Sequence, residues 1–233
     1  MPLIVNKGQF VKGVISLALF LALLIPLFTP VVNGQTGMEA ADDLFNSLSK
    51  GSSYYIPAVA EDVASYHGKE VAVKLKAKDA VQADTLVKLF EGAGATVTAG
   101  SDAIEVKGDL GAVLDAAILD ADDLFHQREA AVESRYGVDN ARHVVYYWYD
   151  AFKQIQKAYD HEGQFEQSLF VKKVSERALE PAYNFAGITA SKVSERAGIT
   201  IFLLVFYVFY TIWYGFSIMF IFEGLGISAS KGH

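Results

Sequence analysis

Two long runs without a charged side chain constrain this chain of 233 residues more than any other feature. One run lies between Lys12 and Glu39, the other lies between Arg196 and Glu223, and each has 26 consecutive uncharged residues. A helix of that length spans about 39 Å, whereas the hydrocarbon core of a bilayer is about 30 Å thick. We therefore predict a transmembrane helix near each end of the chain.

The first run has a second interpretation, because two lysines precede it as in the charged start of a secretory signal. Val32 and Gly34 form a tolerable cleavage pattern before Gln35. The run is longer than the apolar core of an ordinary signal, so we expect an anchor that is not cleaved. Within it, Ala18 and Ala22 offer a small surface for close helix packing.

The orientation follows from Lys7 and Lys12, which the positive-inside rule places in the cytoplasm. A long segment after the first span is translocated largely regardless of its own charges. We therefore expect both termini in the cytoplasm and the main domain outside it. The predicted location is the cytoplasmic (inner) membrane, with two spans and a periplasmic domain.

Charge and composition exclude several classes of function. The formal net charge is −7, and Lys7, Lys12, Glu223 and Lys231 together contribute +2, so the segment between the runs carries −9. Such a surface repels nucleic acid and anionic headgroups. The absence of cysteine excludes disulfides, thiolate-bound iron–sulfur clusters and covalent c-type haem. Since no histidine lies in either run, haem held by histidines of these spans is also excluded, and we predict no cofactor.

The segment between the runs reads as a mostly helical α+β domain with one small sheet. Val71, Val73 and Leu75 alternate with polar or small residues, which indicates a half-buried strand. Asp79 is positioned to cap a following helix over residues 80–90. Short strands at residues 95–98 and 104–107 follow, joined by a turn at Gly100, Ser101 and Asp102. This order predicts a three-stranded β-α-β-β unit of the ferredoxin-like kind.

Helical periodicity and end signals predict the other elements of the domain. We expect one helix from Gly108 to Tyr136, and one capped by Asp139 or Asn140 whose core face runs from Val144 to Tyr159. The remaining predicted helices cover residues 39–48, 57–68 and 164–179, and Pro181 helps to end the last of these. A further helix is expected to run from residue 188 into the second span.

The predicted organisation of the chain has five parts. They are an N-terminal tip and first span (1–34), a helical segment (35–68), the sheet unit (69–109), a helical bundle (110–187), and a stalk, aromatic span and cytoplasmic tail (188–233).

The second span carries two unusual stripes. Six aromatic side chains follow a heptad seam, and a neighbouring stripe of hydroxyls includes two tyrosines near the middle of the run. Phenol hydroxyls at membrane depth require acceptors, so this surface is expected to face a protein helix, a quinone or a pigment. The alternative is that the rings simply face lipid, as in aromatic belts. The predicted partner-binding residues are Phe206, Phe209, Tyr210, Trp213, Tyr214 and Phe216.

One weak metal candidate lies in the domain. Asp122, His126, Glu129 and Glu133 would share one face of a continuous helix, which places three carboxylates and an imidazole together. A solvated acidic face explains the same pattern, because no second helix is identified that would complete a metal site. We therefore predict no metal.

Standard catalytic motifs are absent from the sequence, including phosphate-binding glycine loops, nucleophile elbows and dinucleotide fingerprints. The sequence favours a non-catalytic accessory or structural subunit of a larger membrane complex. Its predicted partners are other membrane subunits or a second copy, both through the second span, together with the lipid bilayer. The alternative is a membrane-anchored sensor or small-ligand-binding protein, and a carboxylate and histidine metal enzyme is the least favoured interpretation.

Overall fold

The computed structural model describes residues 3–100 and 103–227 and divides the chain into two compact units. The first unit combines residues 1–48 with residues 191–233, and the second comprises residues 49–190. The elements of the first unit are α1 (Lys7–Phe28), most of α2 (Gly37–Ser52) and α10 (Val193–Gly224). Both α1 and α10 are long and apolar enough to cross a membrane.

Local hydrogen bonds define the starts of α1 and α2. The Asn6 side chain caps α1 by accepting from the backbone N–H of Gln9 at 3.2 Å. A tight turn with Asn33 and Gly34 at positive φ joins α1 to α2. At the start of α2, Thr36 Oγ1 accepts from the Glu39 N–H at 3.1 Å, and the Glu39 carboxylate accepts from the Thr36 N–H at 2.7 Å. These paired bonds form a capping box, and hydrogen bonds from the Thr36 backbone and side chain to the carboxylate lower the pKa of Glu39.

The second unit combines seven α-helices with one sheet in the part of the chain that the structure describes. Its helices are α3 (Ile56–Asp62), α4 (Ala80–Gly92), α5 (Leu110–Phe125), α6 (Glu129–Tyr136), α7 (Ala141–His161), α8 (Phe165–Val174) and α9 (Glu180–Asn184). A 3₁₀ turn (Val63–Tyr66) follows α3, and a π-helical turn (Ser175–Leu179) joins α8 to α9. Its strands are β1 (Glu70–Leu75), β2 (Thr96–Ala99) and β3 (Ile104–Asp109).

The predicted small sheet of three strands is confirmed, and the structure shows that its strands are antiparallel, in the order β1-β3-β2. Val73 and Val97 both pair with Val106 of the central strand. The buried face of the sheet joins one hydrophobic core with α4, α5 and α7. Its other face is solvated. As predicted, Asp79 caps α4, accepting from the Gln82 N–H at 2.8 Å. Of the predicted turn, Ser101 and Asp102 lie outside the described residues.

The helix predicted from Gly108 to Tyr136 is wrong as a single element. It ends at Phe125, and α6 starts at Glu129 after Gln127 adopts a φ of +60°. Such a left-handed conformation costs a residue with a side chain about 1–2 kcal/mol. Arg128 holds the break, because its guanidinium donates to Asp123 at 2.8 Å and to Asp122 at 2.7 Å. Contacts of side chains therefore override an uninterrupted helical pattern.

Two other predicted helix ends also differ. The helix ending near Pro181 instead continues through the π-helical turn into α9, which ends at Asn184. Pro181 occupies the first turn of α9, where its missing N–H is tolerated. The helix that was expected from Ile188 starts at Val193.

The core face predicted for α7 is confirmed. Its members are all buried: Val144, Trp148, Phe152, Ile155 and Tyr159.

Candidate functional site: the apolar helix pair and the buried carboxylates

The helices α1 and α10 pack against each other in the first unit. Near the start of α1, a Cβ atom on Gly13 would lie 2.6 Å from the backbone nitrogen of Ile221. Further along α1, the Phe20 ring stacks on Tyr210 at 5.9 Å and lies 5.4 Å from Tyr214. Later residues of α1 therefore meet earlier residues of α10, so the two helices run antiparallel.

Glycines allow the two backbones to approach. In addition to Gly13, a Cβ atom on Gly224 would lie 2.5 Å from that of Phe10, so neither position accepts a larger residue without movement. The surface predicted at Ala18 and Ala22 faces away from this contact, because both residues are exposed. The close contact between the helices therefore lies at Gly13 and Gly224, and not at Ala18 and Ala22 as expected from the sequence.

Polar groups inside the helix pair satisfy one another. The Trp213 indole N–H donates to Ser16 Oγ at 2.9 Å, and Ser16 Oγ lies 2.7 Å from Ser217 Oγ. Ser217 also donates to the Trp213 carbonyl at 2.9 Å. Serine and tryptophan hydrogen bonds of this kind fix the register of apolar helices without leaving a polar atom in an apolar setting.

The packing of α1 divides the aromatic face that the sequence predicted as one surface. Tyr210 and Trp213 are half-buried against α1, and Phe206 is half-buried beside Tyr210. Phe209 and Phe216 remain 60% and 52% exposed, and Tyr214 is 48% exposed despite its contact with Phe20. With Phe202, the two exposed phenylalanines form a stripe at seven-residue spacing, which we call the outer phenylalanine stripe. No hydrogen bond joins the hydroxyl of Tyr210 or Tyr214 to another described residue.

The metal candidates do not share one helix face. Asp122 lies in the last turn of α5 and His126 directly follows that helix, whereas Glu129 and Glu133 belong to α6 beyond the break. Among the described residues, no group of three or more histidines and carboxylates is arranged to hold a metal ion. The Asp122 carboxylate accepts from the Tyr54 hydroxyl at 2.7 Å and from Arg128, and Glu133 accepts from the Ala141 N–H at 3.3 Å. These carboxylates support the helix junctions instead.

A buried carboxylate network lies next to these residues, and sequence reasoning missed it. Asp120 is 0% exposed and accepts from Trp148 Nε1 at 2.7 Å, from the Tyr136 hydroxyl at 2.8 Å and from Arg135. Arg135 also donates to Asp123 at 2.6 Å. The only signal in the sequence was a carboxylate inside an apolar face of α5, since Asp120 lies between Ala117 and Leu124 on that face.

Burial and hydrogen bonding act in opposite directions on the network. Burial raises the pKa of Asp120, although donation by Trp148, Tyr136 and Arg135 opposes the rise. Burial alone would raise the pKa of Asp123 too, but hydrogen bonds from Arg135 and Arg128 outweigh it and lower that pKa. Nearby, burial and the hydrogen bond to Asp122 raise the pKa of Tyr54 to about 12. The network is suited to holding helices together, because its hydrogen bonds join carboxylates of α5 to donors on α6 and α7.

Lys50 is another buried ion that the sequence did not indicate. It is 3% exposed, and its ammonium donates to the carbonyls of Phe185 at 3.1 Å and Ile188 at 2.6 Å, just after α9. It also lies 4.9 Å from the centre of the Phe125 ring. Desolvation lowers the pKa of Lys50. Its role is to satisfy carbonyls at a helix end, where a cation is favourable.

Comparison of the chain with models of protein families, with curated proteins and with solved structures finds no match. The function is therefore inferred from the geometry of the helix pair and the domain.

Proposed function

We propose that this chain is a non-catalytic accessory or structural subunit of a larger membrane protein complex. In this proposal α1 and α10 anchor it in the cytoplasmic membrane as a two-helix hairpin, and the acidic domain lies on the periplasmic side. The outer phenylalanine stripe of α10 packs against a transmembrane helix of a partner, which is another subunit or a second copy of this chain. The exposure of that stripe, beside the face of α10 that packs against α1, is the observation that carries the proposal.

The antiparallel packing of α1 and α10 supports the topology. Two antiparallel spans place both termini on the same side of the membrane. Lys7 and Lys12 stand at the start of α1, where the positive-inside rule favours the cytoplasm. The segment between the spans, with its net charge of −9, then lies outside.

A labelling experiment tests this topology, because the chain has no natural cysteine. Single cysteines replace Leu3, which is 84% exposed before α1, and Asp84, whose side chain is 68% exposed on α4. In spheroplasts, a membrane-impermeant maleimide should label the Asp84→Cys variant, and it should label the Leu3→Cys variant only after lysis. Labelling of Leu3→Cys alone in intact spheroplasts would reverse the topology, and equal labelling of both would exclude it.

The composition of the stripe supports a protein partner. Phe202, Phe209 and Phe216 present large rings that pack well against a facing helix, and packing rather than the hydrophobic effect drives association within lipid. The Tyr214 hydroxyl also lacks an acceptor among the described residues, but Tyr214 contacts Phe20 from a different face of α10 and does not extend the stripe. An interhelical hydrogen bond contributes only about 0.6 kcal/mol on average, so most of the affinity is expected from the rings.

Assembly can be tested by purification from native membranes in mild detergent followed by native mass spectrometry. The wild-type chain is expected in a complex with other membrane polypeptides or with itself. The double variant Phe209→Ala, Phe216→Ala should reduce the assembled fraction at least tenfold while still inserting into the membrane. A matched double variant on α1, Leu21→Ala with Ile25→Ala, removes exposed apolar side chains away from the stripe and should leave assembly unchanged.

Two results would contradict the proposal. One is a wild-type chain that is monomeric under these conditions. The other is an equal loss of assembly in both double variants, which would mean that the outer phenylalanine stripe is not a specific partner-binding surface.

The substitution Trp213→Ala tests a contact within the chain, since the Trp213 indole donates a hydrogen bond to Ser16. We expect that variant to loosen the α1 and α10 pair before it affects a partner.

A further inference from the structure

A small cleft lined by tyrosines opens on the second unit between α7 and α9. Its volume is about 300 Å³, at the lower end of the range for small-molecule sites. Of the aromatic run at residues 146–149, only Trp148 is fully buried. The residues that line the cleft are Tyr146, Tyr149, Leu179, Glu180, Tyr183 and Asn184.

Cations of the chain hold the three rings in place. Lys78 Nζ donates to the Tyr146 hydroxyl at 2.7 Å, and Arg142 lies 4.9 Å from the centre of the Tyr183 ring. Lys153 lies 5.3 Å from the centre of the Tyr149 ring. A site whose rings are fixed before binding loses little conformational entropy when a ligand enters.

The polar groups of the cleft have unused hydrogen-bonding capacity. The Glu180 carboxylate, the Asn184 amide and the hydroxyls of Tyr149 and Tyr183 form no hydrogen bond with another described residue. Together they offer acceptors from the carboxylate and both donors and acceptors from the amide and the phenols. A ligand that carries several hydroxyl groups would use both kinds.

Charges of both signs lie around the cleft, so an ionic ligand of either sign meets repulsion as well as attraction. An anion would be repelled by Glu180, which lines the cleft. A cation would be repelled by Lys78, Arg142 and Lys153, which lie close to the tyrosine rings. A neutral ligand with an apolar face for the rings and hydroxyls for the polar groups avoids both penalties.

We propose that the tyrosine cleft binds one neutral sugar ring, either as a free monosaccharide or as the terminal residue of a glycan. The tyrosine rings pack against its C–H face. The Glu180 carboxylate accepts hydrogen bonds from its hydroxyls, and the Asn184 amide both donates hydrogen bonds to them and accepts hydrogen bonds from them. This inference does not depend on the subunit proposal, because the cleft lies wholly within the second unit.

Saturation-transfer difference NMR of the full-length chain in lipid nanodiscs tests the proposal, since nanodiscs avoid sugar-based detergents. The neutral probes are glucose, galactose, mannose and N-acetylglucosamine, and the charged probes are glucosamine and glucuronate. At least one neutral sugar should show saturation transfer, and glucosamine and glucuronate should bind at least fivefold more weakly than it does. A disaccharide that ends in the bound sugar distinguishes a free monosaccharide from the end of a glycan as the ligand. It should bind as tightly as the monosaccharide only if the cleft accepts the end of a glycan.

Variants connect the signal to the cleft. Tyr183→Leu should weaken binding at least tenfold, and Glu180→Ala should do the same without removing a packed ring. Tyr147→Leu is the matched control, because Tyr147 contacts Tyr146 but does not line the cleft, and its affinity should stay within twofold of the wild type. The proposal is overturned if no neutral sugar binds, if a charged sugar binds more tightly than the neutral ones, or if binding survives Glu180→Ala.

Discussion

Replacing Asp120 by alanine is expected to reduce the free energy of unfolding of the second unit by about 3–5 kcal/mol. The substitution removes the acceptor of three donors at once. Trp148 Nε1 and the Tyr136 hydroxyl become buried and unpaired, at a cost of about 1–3 kcal/mol each. Arg135 loses one carboxylate and keeps Asp123, so its guanidinium is not left wholly uncompensated.

Denaturant unfolding in detergent would measure this effect through the fluorescence of Trp148. The chain has two tryptophans, so a Trp213→Phe background isolates that signal. Asp84→Ala serves as the control, because Asp84 forms an exposed pair with Lys88 at 2.9 Å and its loss should cost at most about 0.5 kcal/mol. A loss below about 1 kcal/mol for Asp120→Ala would show that the network does not stabilise the unit.

The substitution Val73→Asp is expected to cost a similar amount, about 3–5 kcal/mol, for a different reason. Val73 is 8% exposed and faces the core from β1, opposite Val106 of the central strand. An aspartate there would place a carboxylate among apolar side chains with no partner. The unit is therefore expected to unfold at a markedly lower denaturant concentration.

The adjacent residue provides a close control for this prediction. Ala72 lies on the same strand but points to the solvated face, where it is paired in register with Lys107. Ala72→Asp introduces the same side chain one residue away and should change stability by less than about 1 kcal/mol. Equal destabilisation by the two substitutions, measured by the same fluorescence assay, would contradict the alternation of the strand.

Several elements of the fold could be predicted because their causes are local in the chain. The lack of charge in two runs identified the apolar helices, and the alternation at Val71, Val73 and Leu75 identified β1. Asp79 and Asn140 cap α4 and α7 through backbone N–H groups two or three residues away. Interactions over such short separations are present in the sequence pattern itself.

The break between α5 and α6 could not be predicted in this way. No glycine or proline occurs from residue 112 to residue 136, and the apolar spacing continues across the junction. The helix nevertheless ends at Phe125, because Arg128 and Arg135 turn back to Asp122, Asp123 and Asp120. That balance depends on how deeply those carboxylates are buried, which only packing determines.

The candidate functional surfaces show the same division. The sequence by itself determined that α10 is apolar and rich in aromatic rings, that the domain is acidic, and that tyrosines cluster at the start of α7. Only the tertiary structure decided that Trp213 turns to Ser16 while Phe209 and Phe216 stay exposed, and that Tyr183 joins Tyr146 and Tyr149 around a cleft. The reason is physical: the composition of a helix face depends on neighbours along the chain, whereas its partner is chosen by shape and hydrogen bonds between residues far apart in sequence.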